Sequence, residues 1–361
     1  VTSSAEAPLP RWSLIVPPLA FVALVFAYGR DLNAVLLVLV CVGLGAAVTA
    51  AVHHAEVVAH RVGEPFGTLI LAVAVTVIEV ALIVTLMSSG GEKTASLARD
   101  TVFAAIMITC NGIVGLALLV GSLRHRVQEF RSHASGGALA VTLALVTLSL
   151  VLPTFTTSSS GPTFTGSQLA FAGIASLVMY GVFVFVQTKR HRDYFLPAGS
   201  DEDDHADAPS TRTALISLGL LVVCLVSVVG LAKTVSPALE RGVAAIGAPQ
   251  TLVGLIIALV VLLPETVAAV RAALRDRLQT SLNLALGSAL ASIGLTIPAI
   301  AVASIWLTGP LVLGLGPTEM VLLTLTGAVS MLTITSGRAT VLQGAVHLML
   351  FSAFLFLAVS P

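Results

Sequence analysis

The sequence predicts an all-α membrane protein of about eleven transmembrane helices, and three observations predict it. Hydrophobic residues make up 57% of the 361 and charged residues only 10%, with a mean hydropathy of +1.02. A soluble chain of this length could not hide so much apolar surface. The apolar residues fall into windows of about 20, the length that crosses a bilayer core as a helix. The connections between windows carry basic residues mainly on alternate sides, as membrane orientation requires.

In order, spans are expected near 12–28, 33–52, 65–88, 100–123, 136–153, 168–187, 213–232, 249–270, 282–306, 317–336 and 340–360. Helices are the default because exposed irregular backbone is not tolerated in hydrocarbon. The first span starts at Trp12, after a small polar stretch from Val1 to Pro10 that does not resemble a cleaved signal. The second ends before the polar stretch His53–Arg61. The third, Pro65 to Met87, and the eighth, Thr251 to Val270, each carry one acid, Glu79 and Glu265. The fourth carries Asn111, and the ninth a series of hydroxyls. The last two are separated by Ser336-Gly337-Arg338. Cys41, Cys110 and Cys224 all lie inside apolar runs, so no disulfide or zinc framework is implied.

With the N-terminus placed in the cytoplasm and sides alternating, 13 of the 18 basic residues fall on the cytoplasmic side and 5 outside. The C-terminus then lies outside. The polar segment from Asp193, with Asp201-Glu202-Asp203-Asp204, Pro197 and Pro209, reads as a cytoplasmic linker. It divides the chain into an N-terminus and first helix (1–32), a first five-helix repeat (33–192), the linker (193–212) and a second five-helix repeat (213–361). An odd number of helices per half means the halves enter the membrane from opposite sides, the inverted-repeat plan of many secondary transporters.

Glu79 and Glu265 are each the only ionisable group in their span. A charged side chain at the centre of a bilayer costs about +2.5 to +3.5 kcal/mol on insertion scales, so it is seldom there without a task. Oppositely inserted repeats would bring the two carboxylates together near a pseudo-two-fold axis. Thr76 precedes Glu79 by three residues and shares its helix face. Pro264 precedes Glu265 and deprives the Val260 carbonyl of its helical partner. Carboxylates beside freed carbonyls suit a hard cation, which wants several oxygens. In the ninth span Ser281, Ser288, Ser292 and Thr296 recur on one helical stripe. Of these, Ser288 and Ser292 are candidate ligands, as is the Asn111 amide. A carboxylate buried without counter-charge favours protons, and a bound cation reverses that preference. Cation and protons therefore compete for the same oxygens, which is exchange without a separate coupling device.

Two polar stretches lie outside this scheme. His53, Glu56 and His60 share a face and are read as a solvated interfacial helix in preference to a pH- or cation-sensing element at the cytoplasmic mouth. Asp201, Glu202, Asp203 and Asp204 are read as a solvated linker in preference to a loose cation sensor, because EF-hand spacing and its glycine are missing. His347 is read as a hydrogen-bonded packing residue.

The run Gly63-Glu64-Pro65-Phe66-Gly67-Thr68-Leu69 through Val77-Ile78-Glu79-Val80 resembles the first alpha-repeat of bacterial calcium/proton antiporters, the proton-coupled branch of the calcium/cation antiporter superfamily. Leu263-Pro264-Glu265 and Asn283-Leu284-Ala285-Leu286-Gly287-Ser288 resemble the second repeat. The acidic stretch between the halves and Ser336-Gly337-Arg338-Ala339-Thr340-Val341-Leu342 also match. The resemblance implies eleven helices, with two inverted five-helix repeats after an extra first helix, and exchange of calcium for protons. It places the repeat acids on Glu79 and Glu265 and the accompanying polar positions on Asn111 and Ser288 or Ser292. Many relatives have Gly-Asn shortly before each repeat acid. Here Thr76-Val77-Ile78 and Leu262-Leu263-Pro264 stand instead, which leaves fewer side-chain oxygens per repeat.

The expectation is therefore a multi-pass carrier of the bacterial inner membrane that exchanges calcium for protons, with sodium or potassium as the rival cation. Its partners are the lipid bilayer, inorganic cations and protons, not nucleic acid; no cofactor is expected, the ions being cargo. A channel would share the acids but has less reason for inverted halves with one acid each. An enzyme is disfavoured, since no Ser/Lys, Asp/Asp or His-Glu-x-x-His arrangement occurs at plausible spacing.

Overall fold

The structure is a computed structural model that describes residues 9–30, 32–63, 66–90, 94–190, 209–245, 247–249, 251–307 and 309–360. Among these the chain is almost wholly helical. Helices α1 (Arg11–Ala27), α2 (Ala34–Val62) and α3 (Phe66–Gly90) open it. Helices α4 (Leu97–Met107) and α5 (Val114–His125) form one continuous rod through a π-helical turn at Ile108–Ile113. They are followed by α6 (Ser132–Val146), α7 (Gly166–Phe185), α8 (Thr211–Ala245), α9 (Thr251–Val261), α10 (Leu263–Leu274), α11 (Leu278–Ala303), α12 (Pro317–Thr335) and α13 (Val341–Val359). Two-residue strands β1 (Gln128–Glu129) and β2 (Arg338–Ala339) pair antiparallel.

Nine helices among the described residues are long and apolar enough to cross a membrane, and α9–α10 form a tenth passage bent by 52°. The 17-residue α1 is apolar but shorter than these, so ten passages are described, and only with α1 counted would they make the expected eleven. Three boundaries differ from the sequence reading. Helix α2 runs on to Val62 instead of ending near 52, because His54, Ala55 and Val58 are buried. Helix α8 extends to Ala245, well past the expected 232. The eighth span is not one rod: Pro264 has no N–H to give to Val260, and the chain breaks at Leu262.

Connections expected on the same side are bonded to each other. At one end β1 pairs with β2, Arg61 donates to Thr211, and Gln128 donates to the Ala273 carbonyl and Asp276. At the other, the Val312, Leu313 and Leu315 amides donate to the carbonyls of Ala95, Pro162 and Leu150.

Two apolar cores fill the bundle. One is built mainly from α1, α2, α3, α8 and α9; the other mainly from α4–α7 and α10–α13, with Leu255 and Ala258 of α9 joining it too. The α4–α5 rod is the centre, with 89% of its apolar window buried against 22% for α13. Lipid tails offer helices no hydrophobic drive to associate, so close packing must do it. Small residues permit that packing at matching places in the two halves. A Cβ at Gly294 of α11 would lie 2.8 Å from Tyr180 Cβ on α7, and one at Gly115 of α5 would lie 2.8 Å from His347 Cβ on α13. The two cores meet where α3 packs on α11.

Candidate functional site

At that seam stands Glu79, 2% exposed, on the core-facing side of α3. Its Oε2 accepts a hydrogen bond of 2.9 Å from Ser292 Oγ on α11. Its Oε1 has no hydrogen-bond partner. Thr296, one turn beyond Ser292, lies beside the same carboxylate. The hydroxyl stripe therefore faces the acid of the other half.

Glu265 reaches the site by a different local device. The break at Leu262 starts a new helix, so Glu265 falls in the first turn of α10. Backbone N–H groups there lack helical partners and the helix dipole is positive, both of which favour a carboxylate. The side chain folds back to accept its own backbone N–H, and Oε2 is buried without a partner. The two acids lie close enough to interact electrostatically, and Glu56 of α2 also acts on Glu265.

A cavity of ≈ 210 Å³ leads to this place. Thr76, Glu265, Ser288 and Ser292 line it, so four of the six expected ligand residues are on its wall, and Glu79 stands directly behind Ser292. Tyr180 and Phe183 of α7 and Gln187, in the π-helical turn Val186–Arg190 that continues it, also line the wall. The sequence reading did not find these; the only hint was Gln187, a polar residue at the end of an apolar span. A second cavity of ≈ 170 Å³ lies toward the opposite end, between Asp100, Thr251, Glu319, Phe103, Leu255 and Phe354. Among the described residues no lysine or arginine is buried, so no fixed cation compensates the two glutamates.

Asn111 is not brought to the carboxylates. It sits in the π-helical turn, where its Nδ2 donates to Thr326 Oγ1 at 2.8 Å and its Oδ1 meets His347 Nδ1 at 3.2 Å. Thr333 Oγ1 pairs with His347 Nε2 at 3.1 Å. This closed network ties α4–α5 to α12 and α13.

The His53–His60 stretch is part of α2 and not a separate interfacial helix. The His53 ring packs at a tilt against Trp12, with ring centroids 5.0 Å apart, and the neighbouring His54 is fully buried and bonded to the Ser13 carbonyl. Glu56 and His60 are exposed. Asp201, Glu202, Asp203 and Asp204 lie outside the described residues.

Among the described residues no group of three or more His, Cys, Asp or Glu is placed to hold a metal. Two carboxylates supply at most four oxygens, whereas calcium takes six to eight. The hydroxyls of Thr76, Ser288 and Ser292, with carbonyls or water, would have to complete such a shell. The arrangement is a candidate two-acid site, of charge −2 when both glutamates are ionised, which one divalent cation, two monovalent cations or two protons would neutralise.

Comparison with known proteins places this geometry in context. The model of the family described as sodium/calcium exchanger protein matches residues 32–189 and 216–360. The y4hA protein of Sinorhizobium fredii is 50% identical over 363 residues, covering 99% of this chain and 98% of its own. The sodium-potassium/proton antiporter ChaA of Escherichia coli is 34% identical over 351 residues, covering 95% and 94%. Among solved structures, native YfkE matches with a TM-score of 0.75 at 16% identity, covering 97% of this chain and 99% of that one. The H+/Ca2+ exchanger CAX matches with a TM-score of 0.71 at 17% identity, covering 95% and 87%.

Proposed function

We propose a function from one premise: the chain belongs to the sodium/calcium exchanger protein family. Our reading is a cation/proton antiporter in which Glu79 and Glu265 form one shared site, with calcium as the first-choice cation. The observation that carries it is the pair of buried, interacting carboxylates with no buried basic residue beside them. Such a pair is stable in hydrocarbon only when neutralised. Either protons or cations do this, and not both at once.

Packing supports the two-repeat reading. Exchanging α2 with α8, α3 with α9–α10, α4–α5 with α11, α6 with α12 and α7 with α13 maps contacts onto contacts. Helix α3 packs on α11, as α9 and α10 pack on α4 and α5; α7 packs on α11, as α13 packs on α5. The same exchange relates the two cavities. The first is walled by α3, α7 and α11 at the end where the 190 and 275–278 connections lie, and it reaches the glutamates. The second is walled by α4, α9 and α13, the counterparts of α11, α3 and α7, and in addition by Thr318, Glu319 and Leu322 of α12. With the N-terminus in the cytoplasm, this is an inward-facing conformation. Transport would deepen one cavity as the other closes, by sliding of the two cores along the α3–α11 seam.

Cation identity divides two readings. YfkE and CAX relatives carry calcium in their names, whereas ChaA, closer in sequence, is named for sodium and potassium. Sodium or potassium exchange is therefore the second reading. The residues are compatible with either, since hard-cation preference follows ligand number and cavity size. The test is proton movement in inverted inner-membrane vesicles driven by calcium, sodium or potassium. A response to calcium supports the first reading; a response to sodium or potassium alone selects the second. No response to any of the three would remove both.

A further inference from the structure

The cavity that leads to Glu265 is amphipathic: Thr76, Ser288 and Ser292 gather near the carboxylate, while most of the remaining wall is hydrocarbon. Leu71, Val75 and Leu284 present hydrocarbon on two walls, and Tyr180 and Phe183 present aromatic rings on the third. A hydrated metal ion can use the hydroxyls of Thr76, Ser288 and Ser292 but gains nothing from the hydrocarbon and aromatic walls. Yet at their end Glu265 Oε2 is buried without a hydrogen-bond partner, and Glu79 stands behind Ser292. Aromatic faces attract ammonium groups electrostatically, most strongly where water is excluded. A carboxylate at the end of an apolar, aromatic slot is the chemistry that recognises an amine with a hydrocarbon body.

We propose that this cavity binds compact amphipathic organic ammonium ions, with the charged group on Glu265 and the apolar body between α3 and α7. The volume of ≈ 210 Å³ sets the size: a single-ring primary amine fits, and a fused multi-ring dye does not. Occupancy places a positive charge where the transported cation must go, so the bound amine is a competitor of the cation and of protons. Gly287 lies on the wall with open space before it, since a Cβ there meets nothing within 4 Å. A larger side chain at that position would fill the slot without displacing a helix.

The proposal shares Glu265 with the antiporter reading but does not need transport, so it is tested by binding. Purified protein in detergent is titrated calorimetrically with phenethylammonium chloride and with neutral phenethyl alcohol. Binding of the ammonium and not the alcohol is expected. A loss of about tenfold or more is expected in Glu265→Gln and, independently, in Gly287→Leu. Equal binding of the alcohol would show an apolar crevice filled by lipid or detergent, and would overturn the proposal. So would ammonium binding unchanged in both variants, or no ammonium binding to the wild-type protein. Amine binding by a protein that moves no protons in vesicles would sink the antiporter reading and leave this one standing. Exchange without amine binding would do the reverse.

Discussion

Replacing Ser292 by alanine isolates one bond of the site. Ser292 Oγ is the hydrogen-bond donor to Glu79 Oε2, at 2.9 Å, and Glu79 Oε1 has no partner. With both residues about 5% exposed or less, bulk water is poorly placed to replace the lost hydroxyl. A hydrogen bond to an ionised group contributes about 1.5–3 kcal/mol. The cation-loaded state needs Glu79 ionised, whereas the proton-loaded state does not. The loss therefore falls on the cation side, and the half-saturating cation concentration should rise about 10- to 150-fold. The defect should be larger at low pH, where protons compete harder, and the maximal rate should largely survive because both acids remain. The assay is cation-driven proton flux in proteoliposomes, titrated with cation at two fixed pH values. An unchanged half-saturating concentration would refute the reasoning. Complete loss of flux at every cation concentration would mean the hydroxyl is indispensable and not a tuning group.

Other perturbations separate the site from its scaffold. Glu79→Gln and Glu265→Gln should each abolish exchange in vesicles while membrane insertion, followed by immunoblot, is kept; near-normal exchange in either would remove that residue from the mechanism. Pro264→Ala should let α9 and α10 approach one continuous helix and carry Glu265 off the site, lowering flux on the order of 10- to 100-fold. Its thermal stability in detergent should not fall, because a proline inside a helix is itself unfavourable; a variant that is less stable with normal flux would contradict this. Asn111→Ala removes one buried hydrogen bond each from Thr326 and His347, at about 0.5–1.5 kcal/mol apiece. It should lower the unfolding temperature and leave the half-saturating cation concentration unchanged. A rise in that concentration like that of Ser292→Ala would return the amide to the ion site.

Much of this was legible because hydrocarbon leaves so few options. Runs of apolar residues can only be helices there, so the spans and their pattern of sides were readable from composition and basic residues. The acids were readable for the same reason: Glu79 and Glu265 are costly where they stand. The hydroxyls near them were partly readable, since Ser288 and Ser292 line the same cavity and Ser292 bonds Glu79 of α3. What hid the rest was local helix geometry. Under the proposed two-repeat correspondence, with Gly115 matched to Gly294, Asn111 corresponds to Leu290, a packed core residue, and not to Ser288 or Ser292. A π turn adds part of a residue to the helix repeat and leaves no mark in the sequence. The bend at Leu262 was half visible: Pro264 announced a freed carbonyl but not a 52° break that sets Glu265 at a helix start. The length of α2 was masked by polarity, because His54 looks solvated until the Ser13 carbonyl meets it. Tyr180 and Phe183 were invisible as site residues, since aromatics in an apolar span most often pack or face lipid.

The most direct test of the shared two-acid site is the number of protons released when a cation binds. Calorimetric titration of the purified protein with calcium, sodium and potassium, each in two buffers of different ionisation heat, reads that number without requiring transport. The account predicts proton release on binding of the transported cation, and loss of both binding and release in Glu79→Gln and Glu265→Gln. Cation binding with the same heat in both buffers, or release that survives both substitutions, would contradict it.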